Sequence, residues 1–191
     1  IISKSYLSKD TFDVLEFASR DITTAFIPSN IKYIRSNCFE KCKNLKNIQF
    51  EQNSQLISIG NEAFQGAEIE SFHMPPNVKE INDHTFSQCS LKNIEFDDNS
   101  ELKSICQGSF SYGKIETISI PDSITEILYC AFYMCKNLKK LNITENSHLK
   151  FIDTEVFHNS SIESICIPSS VDELKDGWCH STPNLIDVEL S

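Results

Sequence analysis

Eight cysteines and five histidines are the residues in this sequence of 191 best suited to chemistry. They could form disulfides, hold zinc or supply a nucleophile, and their spacing argues against each. Cys42, Cys89 and Cys135 each stand three residues after a phenylalanine (Phe39, Phe86 and Phe132), a regularity that belongs to a core position. No Cys-x-x-Cys and no Cys/His cluster with zinc spacing occurs. His73, His84, His148, His158 and His180 share no common context. Serine is abundant, but nothing resembles a nucleophile elbow, and five glycines are too few for a phosphate-cradling loop. No catalytic residue, metal site or cofactor site is therefore expected.

Charge narrows the partners. Lys and Arg number 17 against 27 Asp and Glu, a formal net charge of −10 with a pI near 4.9. Nucleic acid needs clustered cations, and anionic membranes attract basic segments, so neither is expected. Acidity of this kind favours solubility. No stretch approaches the roughly 18 consecutive apolar residues of a membrane span. Hydrophobic residues make up 40% of the chain, enough for a core, and 13 Phe against one Trp mark Phe as a repeated structural part.

The elements that must position these residues come from an internal period. Ile22-Thr-Thr-Ala25-Phe-Ile27 aligns with segments starting at Leu45, Ile69, Leu91, Ile115, Leu138, Ile162 and Leu185, spaced 22 to 24 residues apart. Each is followed by an apolar pair three residues apart, from Ile31 and Ile34 to Val171 and Leu174. Five residues later stands Phe39, Phe64, Phe86, Phe110, Phe132 or Phe157, replaced in the last unit by Cys179 beside Trp178. About five apolar side chains thus point inward per coil, each worth roughly 1.5–3 kcal/mol when fully buried. Units turning on proline (Pro28, Pro75-Pro76, Pro121 and Pro168) alternate with units turning on Asn53-Ser54, Asn99-Ser100 and Asn146-Ser147. Proline fixes φ where the strand must stop, and Asn and Ser satisfy turn backbone with their side chains. The fold predicted is a leucine-rich-repeat solenoid. Short parallel strands stack one per coil, with turns and short irregular or helical segments on the other faces. Like cysteines two coils apart are then about 10 Å distant, beyond the roughly 7 Å limit for a disulfide.

Residues 22–191 form the repeat domain, of about seven and a half coils. Residues 1–21 fit less well. Phe12 and Phe17 suit either the tail of a partial coil or a short amphipathic N-terminal cap. The last strand, ending at Glu189-Leu190-Ser191, is followed by no capping unit in this sequence. Such an edge invites pairing, so the expectation is either that the natural protein continues or that a partner, which could be another copy of the chain, covers it.

Strand side chains alternate, so two rows face outward. One carries Thr24, Asn47, Ser71, Asn93, Thr117, Lys140, Ser164 and Asp187, and the other Phe26, Gln49, His73, Glu95, Ser119, Asn142, Cys166 and Glu189. Seven gaps of about 4.8 Å make this face about 34 Å long. The partner-binding candidates are Phe26, Asn47, Gln49, Ser71, His73, Asn93, Glu95, Thr117, Ser119, Lys140 and Asn142, with Phe26 and His73 foremost. Such a polar strip suits a broad protein or glycan surface, or is simply a solvated sheet. Cys166, flanked by Ile165 and Ile167, should be the thiol most accessible to alkylation. Asn142-Ile-Thr144 and Asn159-Ser-Ser161 match the N-glycosylation acceptor, and a glycan on Asn142 would block the strip.

These repeats resemble the BspA-like, or Treponema-type, leucine-rich repeats, with a pattern near LxxIxIPxxVxxIGxxAFxxCxx. Ile115 to Phe132, Leu56 to Phe64 and Ile162 to Leu174 carry the likeness, which covers residues 22–191. Variants such as Asn-Ser-x-Leu are similar to surface-protein families of parasitic protozoa. The resemblance implies a cell-surface or secreted adhesin binding host or matrix protein, and it brings no catalytic residues. A cytoplasmic scaffold for a signalling protein is the alternative, favoured by the many cysteines, and a spacer without a ligand is the third.

A further row reads Lys46, Glu70, Lys92, Glu116, Lys139 and Glu163, alternating in charge across six coils. Stacked coils would set each Lys between two Glu, each pair worth roughly 0.2–1 kcal/mol, and a one-coil slip would oppose like charges. Glu116→Lys is expected to lower the melting temperature more in low salt than in high salt. An equal loss at both ionic strengths would count against the ladder.

Overall fold

The apolar spacing closes each repeat into one coil of a stack of strands and turns. The computed structural model describes residues 2–4 and 12–190. β1 (Ile2–Lys4) runs antiparallel to β2 (Phe12–Leu15). The odd-numbered strands that follow lie on one face: β3 (Thr24–Ile27), β5 (Asn47–Phe50), β7 (Ser71–Met74), β9 (Asn93–Phe96), β11 (Thr117–Ser119), β13 (Lys140–Asn142), β15 (Ser164–Ile167) and β17 (Asp187–Leu190). Two-residue strands on a second face alternate with them: β4 (Tyr33–Ile34), β6 (Ser58–Ile59), β8 (Glu80–Ile81), β10 (Ser104–Ile105), β12 (Glu126–Ile127), β14 (Phe151–Ile152) and β16 (Glu173–Leu174). Pairing after β1 is parallel throughout the described residues. β2 joins the second face beside β4. The reading of residues 1–21 falls partly on residues 1 and 5–11, outside the described ones.

The inward ladder is as the sequence implies. Phe39, Phe64, Phe86, Phe110, Phe132 and Phe157 are all fully buried and stack face to face, with successive ring centroids 4.9 to 5.6 Å apart. Such contacts add about 0.5–1.5 kcal/mol each beyond the area they bury. Trp178 meets the far end of the stack edge-on, 6.0 Å from Phe157. Cys42, Cys89 and Cys135 are buried small side chains of the same core.

No helix occurs among the described residues, so the helical segments allowed by the sequence are turns instead. The physical reason lies in two backbone reversals per coil. The residues two before and two after the stacked aromatic position have φ between 54° and 75° in seven successive coils: 37 and 41, 62 and 66, 84 and 88, 108 and 112, 130 and 134, 155 and 159, 177 and 181. A left-handed residue interrupts any α-helical run. None of these positions holds Val, Ile or Thr, the residues least able to adopt such a φ. The reversals turn alternate amides toward the next coil: Asn37, Phe39 and Lys41 donate to the carbonyls of Asn61, Ala63 and Gln65, and the pattern recurs at Gly108, Phe110 and Tyr112. A third hydrogen-bonded row thus runs along the solenoid behind the two strand faces. The coils come so close that a Cβ at Gly60 would clash with the Ser36 backbone nitrogen.

Gln88, exposed and with φ 55°, separates backbone from packing effects. Gln88→Val should cost about 1–2 kcal/mol in urea unfolding, although the side chain touches solvent, whereas Gln88→Gly should cost nothing or stabilise. Equal behaviour of the two variants would overturn this account of the turns.

Candidate functional site

The outward rows of the odd-numbered strands form in the register expected. Thr24 lies opposite Asn47 and Phe26 opposite Gln49; Ser71 lies opposite Asn93 and His73 opposite Glu95; Thr117 lies opposite Lys140 and Ser119 opposite Asn142. Asn47, Gln49, Ser71, His73, Asn93, Glu95, Thr117, Ser119 and Lys140 are exposed. Asn142 is half-buried, its amide donating to Ser119 Oγ at 3.3 Å. Phe26 stands out, 62% exposed on a face that is otherwise polar. His73 leans on the next coil, with Nε2 3.1 Å from Asp97 and Nδ1 3.7 Å from Glu95.

The face is not one sheet, which corrects the sequence expectation. Its strands pair as β3-β5, β7-β9 and β11-β13-β15-β17, leaving the ladder open between β5 and β7 and between β9 and β11. Coil length does not explain this, because β13 to β15 spans the same 24 residues as both open junctions. The residues at the strand ends differ: Phe50 and Phe96 precede the open junctions, and Ile143 the closed one. Each ring is half-buried and takes more room between coils than a branched aliphatic. Gln49 and His73, and Glu95 and Ser119, are therefore neighbours without a shared ladder.

Each opening holds a depression that the two-row reading missed. The first, about 320 Å³, is lined by Phe26, Ile48, Gln49, Phe50 and His73. The second, about 710 Å³, has Glu95, Phe96, Asp97, Asp98 and Asp122 among its walls, with hydroxyls of Ser100, Thr117, Ser119, Ser123 and Thr144. The signal was present in the sequence: only the Asn-Ser coils end a strand on Phe, and their corners are acidic.

The charged row is paired rather than continuous. Lys92 Nζ is 2.9 Å from Glu70 and Lys139 Nζ 2.5 Å from Glu163. Lys46 reaches Glu68 at 3.8 Å, within a corner it shares with Lys43. Hydrogen bonding to Lys92 holds the Glu70 carboxyl below its ordinary range. Each Lys thus takes one carboxylate instead of bridging two, and Glu116 lies between two occupied lysines.

No group of three or more metal-binding side chains occurs among the described residues, and no described helix is long and apolar enough to cross a membrane. The profile of the BspA type leucine-rich repeat region matches residues 11–58 and 57–186 in six copies. No curated protein matches the chain. Among solved structures it is similar to the pneumococcal vaccine antigen PcpA, at 23% identity and a TM-score of 0.68 over 88% of this chain and 45% of that one. It is also similar to a leucine-rich repeat protein from Bacteroides ovatus, at 20% identity and a TM-score of 0.62 over 89% of this chain and 61% of the other. The chain thus spans less than two thirds of either relative.

The thiols differ sharply in environment. Burial pushes Cys38, Cys89, Cys106 and Cys135 up to about 12 and raises Cys130 and Cys179. A raised pKa means less reactive thiolate at pH 8, since the thiol form does not attack. Cys42 is shut inside the core. Cys166, half-buried on the outward side of β15, should be alkylated first by iodoacetamide at pH 8. Faster labelling of Cys89 or Cys135, read by peptide mass mapping, would contradict the packing described.

Proposed function

The chain belongs to the BspA-type leucine-rich-repeat family, and from that premise we propose a non-catalytic protein-interaction module, displayed on a cell surface or secreted, that binds host or matrix protein. The binding surface is the outward side of the odd-numbered strands, from Phe26 across Asn47, Gln49, Ser71, His73, Asn93, Glu95, Thr117 and Ser119 to Lys140 and Asn142. The observation that carries this reading is the asymmetry of the wall. Its inward apolar side chains are consumed by the core, yet the outward face keeps a 62%-exposed Phe26 over an opening in the sheet. A solitary exposed aromatic is ordinary; one above a depression and beside a polar strip has the composition of an interface centre with its rim. The outside of a cell is supported by the family and by one fold neighbour being a vaccine antigen, since an antigen of that use must be reachable.

A second reading has its own observation. All eight cysteines are outside any disulfide, which suits a reducing compartment and hence an intracellular scaffold. Labelling intact source cells with a membrane-impermeant biotin reagent separates the two, because only a displayed chain is modified.

For the face itself, the chain can be immobilised and tested for retention of host cells and matrix proteins. Gln49→Ala, His73→Ala and Lys140→Ala together should reduce retention about tenfold, while Tyr112→Ala with Tyr133→Ala, on the turn ridge, should leave it unchanged. Retention equal in both variants would remove the face from consideration.

A further inference from the structure

The two openings in the strand face are adjacent and chemically unlike. The one between β5 and β7 is apolar, with exposed Phe26 and half-buried Ile48 and Phe50. The one between β9 and β11 is acidic, with Glu95, Asp97, Asp98 and Asp122 on its walls and neither Lys nor Arg among them. His73 belongs to the first and leans toward Asp97 and Glu95 of the second, so the two are continuous.

The charge extends beyond the depressions. From Asn47 to Gln55, Asn93 to Glu101 and Thr117 to Glu126 the strands and their exit corners contain no Lys or Arg, and in the next coil none follows Lys140, the first residue of β13, as far as Leu149. The basic side chains Lys43, Lys46, Lys92, Lys114, Lys136 and Lys139 all precede their strands. The strand exits are therefore free of cations, whereas the strand starts carry both signs, with Glu70, Glu116 and Glu163 alternating with the lysines. Between β9 and β11 a single backbone hydrogen bond remains among the described residues, from Glu116 N to Lys92 O at 3.3 Å, leaving strand-edge amides and carbonyls facing the acidic groove.

We infer that this double depression holds an extended segment of a partner protein carrying an apolar side chain and, several residues away, arginine or lysine. The apolar side chain covers Phe26 and Phe50, and the cation enters the groove of Glu95, Asp97, Asp98 and Asp122. A guanidinium or ammonium group offers only donors, matching walls of carboxylate and hydroxyl acceptors. The two centres lie about two and a half coils apart, or about 12 Å, which an extended chain covers in about four residues. The inference rests on the proposed role of the strand face in binding protein and names the chemistry of what it binds.

A displayed library of random dodecapeptides, selected on the whole chain at low salt, tests it. Enriched clones should combine an apolar residue with Arg or Lys about four positions away. They should bind about tenfold more weakly to Asp97→Asn with Asp122→Asn and to Phe26→Ser, and weaken as salt rises. Phe26 is exposed, and Asp97 and Asp122 are half-buried, Asp97 beside His73 and Asp122 accepting from Thr144 Oγ1, so an unchanged melting curve checks that the variants fold. Enriched clones that depend on the strand face but lack cationic residues, or ignore the Asp97 and Asp122 changes, would overturn this inference while leaving the protein-binding reading standing. If no clone is enriched, or every enriched clone ignores all substitutions on the face, both are overturned.

Discussion

Everything in this molecule depends on each coil returning in step with the one before it. A strand pair could achieve this at one face, but the closed path needs its backbone groups satisfied at the back as well. The paired left-handed residues around each stacked aromatic do this, aiming alternate amides across to the next coil. Buried hydroxyls complete the accounting: Thr85 Oγ1 bonds the Asn82 carbonyl at 2.8 Å, and Ser87 Oγ meets Ser111 Oγ at 2.9 Å. With the backbone held at this spacing, the phenyl rings fall at stacking distance and the outward rows into register. The stability of any coil is then shared chiefly with its two neighbours.

The inward ladder was legible because it is written in residue type. Leu, Ile and Phe recur at fixed offsets, and the pairing of Phe26 with Gln49 or His73 with Glu95 follows from counting. The backs of the coils were not legible in the same way. Their reversals fall on Lys41, Glu62, Gln88 and Met134, which mark no turn by themselves and leave a helix open as a reading. The alternating charge row was visible, yet the choice of partner depends on where long side chains reach. Lys46 reaches Glu68 instead of Glu70.

The openings in the strand face show where a periodic reading loses information. Aligning the coils treats Phe50, Phe96 and Ile143 as equivalent apolar residues, and for burial they nearly are. For the distance between neighbouring backbones they are not, because ring and branched chain differ in bulk. The same two substitutions that disturb the ladder also bring Phe50 and Phe96 into the walls of the depressions. The candidate site therefore arises from departures from the repeat, whereas the fold arises from adherence to it.

The alternation of Pro and Asn-Ser corners, together with the alternation of Lys and Glu beside the strands, has a consequence for how such a chain can lengthen. Gaining or losing one coil would bring two corners of the same kind together and set like charges side by side. Gaining or losing two preserves both alternations. Duplication within the gene is thus tolerated in even steps, and lineages that expand or shorten this wall should differ by pairs of coils.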